Sequence, residues 1–240
     1  MKAVVKLYKW GQVINRTVYP WICCVCGSND HRGIGVCDAC IHYLPWCSEN
    51  RLCGICGLPI AAEMSVTKIC GKCQQLPPYY DATHANFWYQ PPIDKLISHY
   101  KYFNQWQNAH TLVKLSANKF SAVAKTGLVI PMPSHPARVR QRGFNAVFEL
   151  IKLFRKEIKF DYSLNCVFRT KNTQTQTNKL KNQRKKNVKN AFKVTSQIDY
   201  DHVIIFDEVV TTAASVNELS YCLKKAGVKR VSIYAIARTK

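Results

Sequence analysis

Four C-x-x-C pairs in succession constrain this chain more than any other feature: Cys23/Cys26, Cys37/Cys40, Cys53/Cys56 and Cys70/Cys73. Each pair sets two thiolates on one tight knuckle, and two knuckles complete a tetrahedral four-cysteine shell for Zn²⁺. Gly27 and Gly57 directly follow the second cysteine of their pairs, where such a turn favours positive φ. Two adjacent zinc ribbons are expected, with two zinc ions. Sequential pairing of the knuckles is simplest, and an interleaved pairing stays open, as do an iron–sulfur cluster or reduced thiols. Of 12 cysteines, only Cys166 and Cys222 lie outside the stretch from Cys23 to Cys73. The N-terminal MKAVVKLYKWGQVINR lacks the apolar core and cleavage site of a secretory leader, which favours metal over disulfides. Cys24 and Cys47 are read as spare thiols. His31 and His42 are left out, because eight paired cysteines already fill two sites. Ribbons this small cannot build a core, so their metal supplies most of their folding energy.

The rest of the chain can support a packed domain. Hydrophobic residues make up 47% of it, which excludes chain-wide disorder. No run reaches the ~18 apolar residues of a membrane span, and a cytoplasmic protein is expected. The formal net charge of +21 points to polyanionic partners: nucleic acid, anionic lipid or phosphorylated small molecules.

Gln74–Pro78 (QQLPP) reads as a linker, which sets an N-terminal region at residues 1–78 and a second domain at 79–240. A strand is expected over Ala85–Tyr89, then a proline-started helix over Pro92–Phe103. Ile93, Leu96, Ile97 and Tyr100 form that helix's core face, and the adjacent Lys101 is read as a snorkelling surface lysine. A second helix is expected from Gln107 to Ala124. The short strand Gly127–Pro133 runs into Arg138, Arg140 and Arg142, placed either to grip phosphate or as a solvated helix face. A helix over Phe144–Lys156 follows.

From Tyr162 to Gln197 there is no acid, while Arg169, Lys171, Arg184, Lys185 and Lys186 are among nine basic residues. A segment of this composition orders on an anion, either as a lid over a diphosphate or as a clamp on single-stranded nucleic acid. Next comes VIIFDEVVTTAAS: a strand over His202–Phe206, the acids Asp207 and Glu208, the turn Thr211, Thr212, Ala213, Ala214 and Ser215, and a helix to Ala226. A strand, an N–H-rich turn and a helix N-terminus make an anion cradle, and the acids suit sugar hydroxyls or a hydrated Mg²⁺. Cys222 is read as packing. A last strand over Arg230–Ile236 completes an α/β sheet, at least partly parallel.

VIIFDEVVTTAAS resembles the diphosphoribosyl-binding motif of type I phosphoribosyltransferases. Together with the paired knuckles, PMPSHPARVRQRGFN, RTKNTQTQTNKLKNQRKKNVKNAF and the final ART, it resembles the ComF competence family, including its GntX-like members. The resemblance implies an N-terminal double zinc ribbon followed by a phosphoribosyltransferase-like (Rossmann-like) α/β domain with a largely parallel sheet. It also implies cytoplasmic handling of incoming single-stranded DNA in natural transformation or DNA utilisation. By position, Asp207 and Glu208 would face ribose hydroxyls of phosphoribosyl diphosphate, with Mg²⁺ accompanying it. Residues 211–215 would cradle its 5′-phosphate, Ser134 and His135 its diphosphate, and the basic stretch from Arg169 would be the flexible loop. Two departures bear on turnover: Glu208 stands where the motif most often has Asp, and Ala213 where it usually has Gly.

Three functions compete. The first is a single-stranded DNA-handling factor with a phosphosugar site. The second is an active phosphoribosyltransferase in which Asp207 and Glu208 are catalytic, and the third an adaptor docking a DNA-uptake helicase or recombination protein.

Overall fold

A computed structural model describes residues 21–30, 32–47, 51–61, 68–171 and 188–240. Its centre is a four-stranded parallel sheet of β1 (Ala82–Trp88), β2 (Leu128–Pro131), β5 (His202–Val210) and β6 (Arg230–Arg238), in the order β1-β6-β5-β2. Parallel strands need crossovers, and the chain supplies helices for them: α3 (Ile93–Phe103), α4 (Trp106–Ala124), α5 (Pro136–Arg142), α6 (Ala146–Glu157) and α7 (Ala214–Lys225). Two single-turn helices, α1 (Asp38–His42) and α2 (Gly71–Gln75), belong to the ribbons.

Both faces of the sheet are covered, which is why β5 and β6 read as continuous apolar runs rather than alternating ones. Ile204, Phe206, Tyr234 and Ile236 pack with α3, α4 and α6, where Phe120 and Phe154 interlock with Phe206. Val203, Ile205, Val231 and Ile233 pack with Leu219 and Leu223 of α7. The outer edges of the sheet are also occupied. Cys47 N donates to Asn86 O and Trp88 N to Pro45 O along β1, and Val129 N donates to Asp161 O along β2.

Three features differ from the sequence reading. First, β5 runs through the acids to Val210 and β6 reaches Arg238, because the ladder continues through Val209↔Ala237 and Val210↔Arg238. Second, β2 stops at Pro131 rather than Pro133, and the arginine stretch forms the short helix α5, as one of its two readings allowed, with Pro136 in its first turn and the His135 side chain accepting from Ala137 N at 3.2 Å. Third, an antiparallel pair, β3 (Val167–Arg169) and β4 (Phe192–Val194), brackets the basic segment; three-residue strands are too short for periodicity to reveal.

Candidate metal centres and anion site

The knuckles close sequentially. The Sγ atoms of Cys23, Cys26, Cys37 and Cys40 all lie within 4.8 Å of one another, as do those of Cys53, Cys56, Cys70 and Cys73. Cys26–Cys37 and Cys56–Cys70 are each separated by 3.7 Å. A tetrahedral shell with Zn–S bonds of ~2.3 Å puts its sulfurs about 3.8 Å apart, so the donor sets fit two zinc ions. Cys70 N donates to Cys53 Sγ at 3.3 Å, the amide-to-sulfur contact expected of a knuckle. Cys24 and Cys47 belong to neither cluster, and burial pushes each thiol up to about 11, which leaves it protonated. His42 is exposed at the end of α1, and His31 lies outside the described residues.

The ribbons are docked onto α4 and the end of β6. Lys114 Nζ on α4 donates to Gly33 O at 2.7 Å, and a Cβ at Gly35 would overlap Thr111 Oγ1, so only glycine permits that approach. On the second ribbon, Arg238 Nε donates to Cys56 O at 3.3 Å.

Asp207 and Glu208 sit at the C-terminal end of β5, beside the end of β2, which is the edge where open parallel sheets carry ligands. Lys101 of α3 is no surface lysine: its Nζ lies 2.5 Å from Glu208 Oε1, with both side chains largely enclosed. Position 101 is one turn beyond Ile97 in the buried face of α3, and that spacing is the signal for an inward lysine. Glu208 Oε2 is buried without a hydrogen-bond partner. Burial works against ionisation of Glu208, yet the Lys101 ammonium overrides it and holds the carboxyl below its ordinary value. Burial and then the neighbouring Glu208 charge push Asp207 well above the usual carboxylate range. The pair thus favours one charge rather than two.

The turn after β5 brings Ala213 to φ 59°, the left-handed region, and α7 starts directly after it at Ala214. Ala214 and Ser215 therefore lie in the helix's first turn rather than in the turn before it. Ala213 caps the helix without a side-chain hydrogen bond, which leaves first-turn N–H groups open to an anion. An alanine in this conformation costs about 1 kcal/mol relative to glycine. Ala213→Gly is expected to raise the melting temperature by about 2–4 °C by differential scanning fluorimetry.

His135 caps α5, and Ser134 Oγ donates to Asn145 Oδ1 at 3.4 Å, so these two residues lie at the β2–α5 turn on the same sheet edge. Arg138 and Arg142 are half-buried and Arg140 is exposed. Arg169 comes close enough to Arg138 to feel its charge. Burial first, then Arg138, brings the Arg169 guanidinium down to about 10. Lys171 is exposed and donates to Lys189 O at 2.7 Å. Arg184, Lys185 and Lys186 lie outside the described residues. Cys222 packs against β4 with its Sγ directed at Phe192 O, a structural role.

Sequence reasoning misses Arg238 as a functional candidate. It is 4% exposed, and it also donates through Nη1 to Val210 O at 2.9 Å and to Thr211 O. Its signal is its place at the end of an unbroken apolar strand covered on both faces. Tyr102 and Phe103, each 68% exposed at the end of α3, escape that reasoning as well.

The acid pair has a pH signature. Asp207's folded pKa lies above its unfolded value, so the folded state holds the extra proton and loses stability as pH rises through that window. Asp207→Asn removes this loss. By calorimetry its melting-temperature advantage should be absent near pH ~4 and grow by a few degrees toward pH ~8; an advantage independent of pH would refute an ionising Asp207.

Among the described residues, no helix is long and apolar enough to cross a membrane. Residues 14–74 match a family model described as a double zinc ribbon domain. The chain is 30% identical over 225 residues to the DNA utilization protein YhgH of Escherichia coli (strain K12), covering 91% of this chain and 96% of that protein. It is 28% identical over 226 residues to Competence protein F of Haemophilus influenzae, covering 90% and 96% respectively. A crystal structure of purine phosphoribosyltransferase from Pyrococcus horikoshii Ot3 aligns with 57% of this chain and 85% of that one, at 15% identity and a TM-score of 0.32, a likeness too loose to carry an argument. The knuckles, their sequential pairing and the 30% identity that spans 91% of the chain lead to one assignment: the chain belongs to the ComF competence family, alongside the YhgH DNA utilization proteins.

Proposed function

We propose that this protein handles single-stranded DNA in the cytoplasm during DNA uptake or use, and that the β5–α7 turn is a site for a phosphoribosyl-diphosphate-type ligand. Its relatives' names, competence protein and DNA utilization protein, support the first half. The observation that carries the reading is the aromatic and arginine surface beside the acid pair. Tyr102 and Phe103 project from the end of α3, the Arg142 guanidinium lies 5.3 Å over the Tyr102 ring, Arg138 is near enough to Tyr102, Arg142 and Glu208 to feel their charges, and Arg169 is near enough to feel Arg138 and Asp207. Non-specific single-strand recognition needs this combination, π-faces for the bases and cations for the backbone. With a net charge of +21, the whole molecule attracts the polyanion.

Fluorescence anisotropy with a labelled oligonucleotide tests it. Affinity should fall steeply from ~50 to ~200 mM salt, with a slope of about −0.7 per phosphate neutralised. Tyr102→Ala and Phe103→Ala should each weaken binding by about 1–3 kcal/mol while leaving that slope unchanged. Absent or salt-insensitive binding sinks the proposal.

A second reading, active phosphoribosyl transfer, draws on Asp207, Glu208 and the uncapped N-terminus of α7. Mg²⁺ and a diphosphate leaving group would have to draw Glu208 away from Lys101 and deprotonate Asp207. A melting-temperature shift with phosphoribosyl diphosphate and Mg²⁺, lost in Asp207→Ala, marks the ligand site; a base-dependent release of diphosphate marks turnover.

A further inference from the structure

We propose that Arg238 is a positioning residue that ties the second zinc centre to the anion turn, so that occupancy of the one sets the conformation of the other. Two observations carry this. The Arg238 side chain is buried at the end of β6, and among the described residues its hydrogen-bond acceptors are main-chain carbonyls. One of them belongs to Cys56, a ligand of the second four-cysteine cluster, and the other two belong to Val210 and Thr211, which lead into the turn.

Burying a guanidinium among neutral carbonyls is unfavourable without a counter-charge. A dication held by four thiolates is net negative, so a loaded second cluster supplies that charge beside the buried arginine that holds the turn. The bonds to Val210 and Thr211 hold the carbonyls just before Ala213, whose left-handed conformation opens the first turn of α7. Loss of zinc releases the Cys56 knuckle and removes both an acceptor and the counter-charge, leaving Arg238 free to abandon the turn. Linkage makes the effect reciprocal: an anion that orders the turn slows release of the second zinc and leaves the first untouched. That anion half rests on the ligand site proposed above; the link from zinc to turn does not.

The full-length protein tests both halves, with hydrogen–deuterium exchange across residues 210–216 as the first readout. Stripping the second cluster, by Cys70→Ser with Cys73→Ser or by timed chelation of the unsubstituted protein, should raise exchange there about tenfold or more. Stripping the first, by Cys37→Ser with Cys40→Ser, should not. Arg238→Gln should raise it with two zinc ions still bound and β2 still protected, which separates release of the turn from unfolding. Unchanged exchange on loss of the second zinc overturns the proposal. In the second readout, zinc release to a chromogenic chelator, phosphoribosyl diphosphate with Mg²⁺ should slow one of two phases, and Arg238→Gln should abolish the slowing. A melting-temperature shift with that ligand but no slowing of either phase overturns the reciprocal half. No shift at all, with the exchange results intact, refutes the ligand site and leaves the zinc-to-turn link standing.

Discussion

Cys53→Ser combined with Cys56→Ser should leave the purified protein with one zinc ion per chain instead of two, and with an unfolded second ribbon. The magnitude decides this outcome. Structural zinc contributes about 10–16 kcal/mol in small metal-folded units, as much as the whole stability of an ordinary domain. The second ribbon has little to set against that loss, since its buried apolar cluster is made mostly of the ligand cysteines with Ile55, Leu58, Ile60 and Ile69 at its margin. Elemental analysis counts the metal, and limited proteolysis should cut within residues 51–73 while leaving the parallel sheet intact. Two zinc ions retained by the double variant would overturn the ligand set. Cys24→Ser and Cys47→Ser should each keep both ions, because those sulfurs lie outside the clusters.

Lys101→Met is the second large effect. It strands Glu208, already buried with one oxygen unpartnered, without its only ion-pair partner among the described residues. Breaking such an enclosed pair from one side costs on the order of 3 kcal/mol, or about 6–12 °C in melting temperature for a chain of this size. Lys101→Met with Glu208→Gln should recover most of the loss, because the cost is that of an uncompensated charge rather than a missing attraction. The pH dependence follows. Without the ammonium, burial raises Glu208's folded pKa above its unfolded value, so the variant's deficit is largest at high pH and shrinks as pH falls through that window. A deficit that does not change with pH would point to lost packing of the lysine stem instead.

The sequence carries the parts of this fold that rest on local chemistry. C-x-x-C spacing is the geometry of a knuckle, and apolar runs at strand and helix periods lead to β5, α3 and α6 within a few residues. What escapes depends on partners distant in the chain. The strand register that carries β5 past Glu208 is set by β6, and the hairpin of β3 and β4 joins residues on either side of the basic segment. Lys101 reads as a surface residue because helical spacing shows which side is buried but not that an acid from β5 waits there. Arg238 stands in the final ART, and nothing local could say that its acceptors would come from a cysteine knuckle and the turn after β5. Arg184, Lys185 and Lys186 remain expectations from composition, outside the described residues.

The strip Pro45–Cys47 lies between the two ribbons in sequence and pairs along the outer side of β1, with Trp46 set 4.5 Å from the Phe87 ring. A strand with one free side is a template for pairing with another chain, and this molecule closes that side with a segment whose two neighbours are folded by metal. Metal supply during synthesis therefore bears on self-recognition as well as on the ribbons. A copy made under zinc starvation is then expected to keep its sheet while leaving that rim open to pairing with another copy.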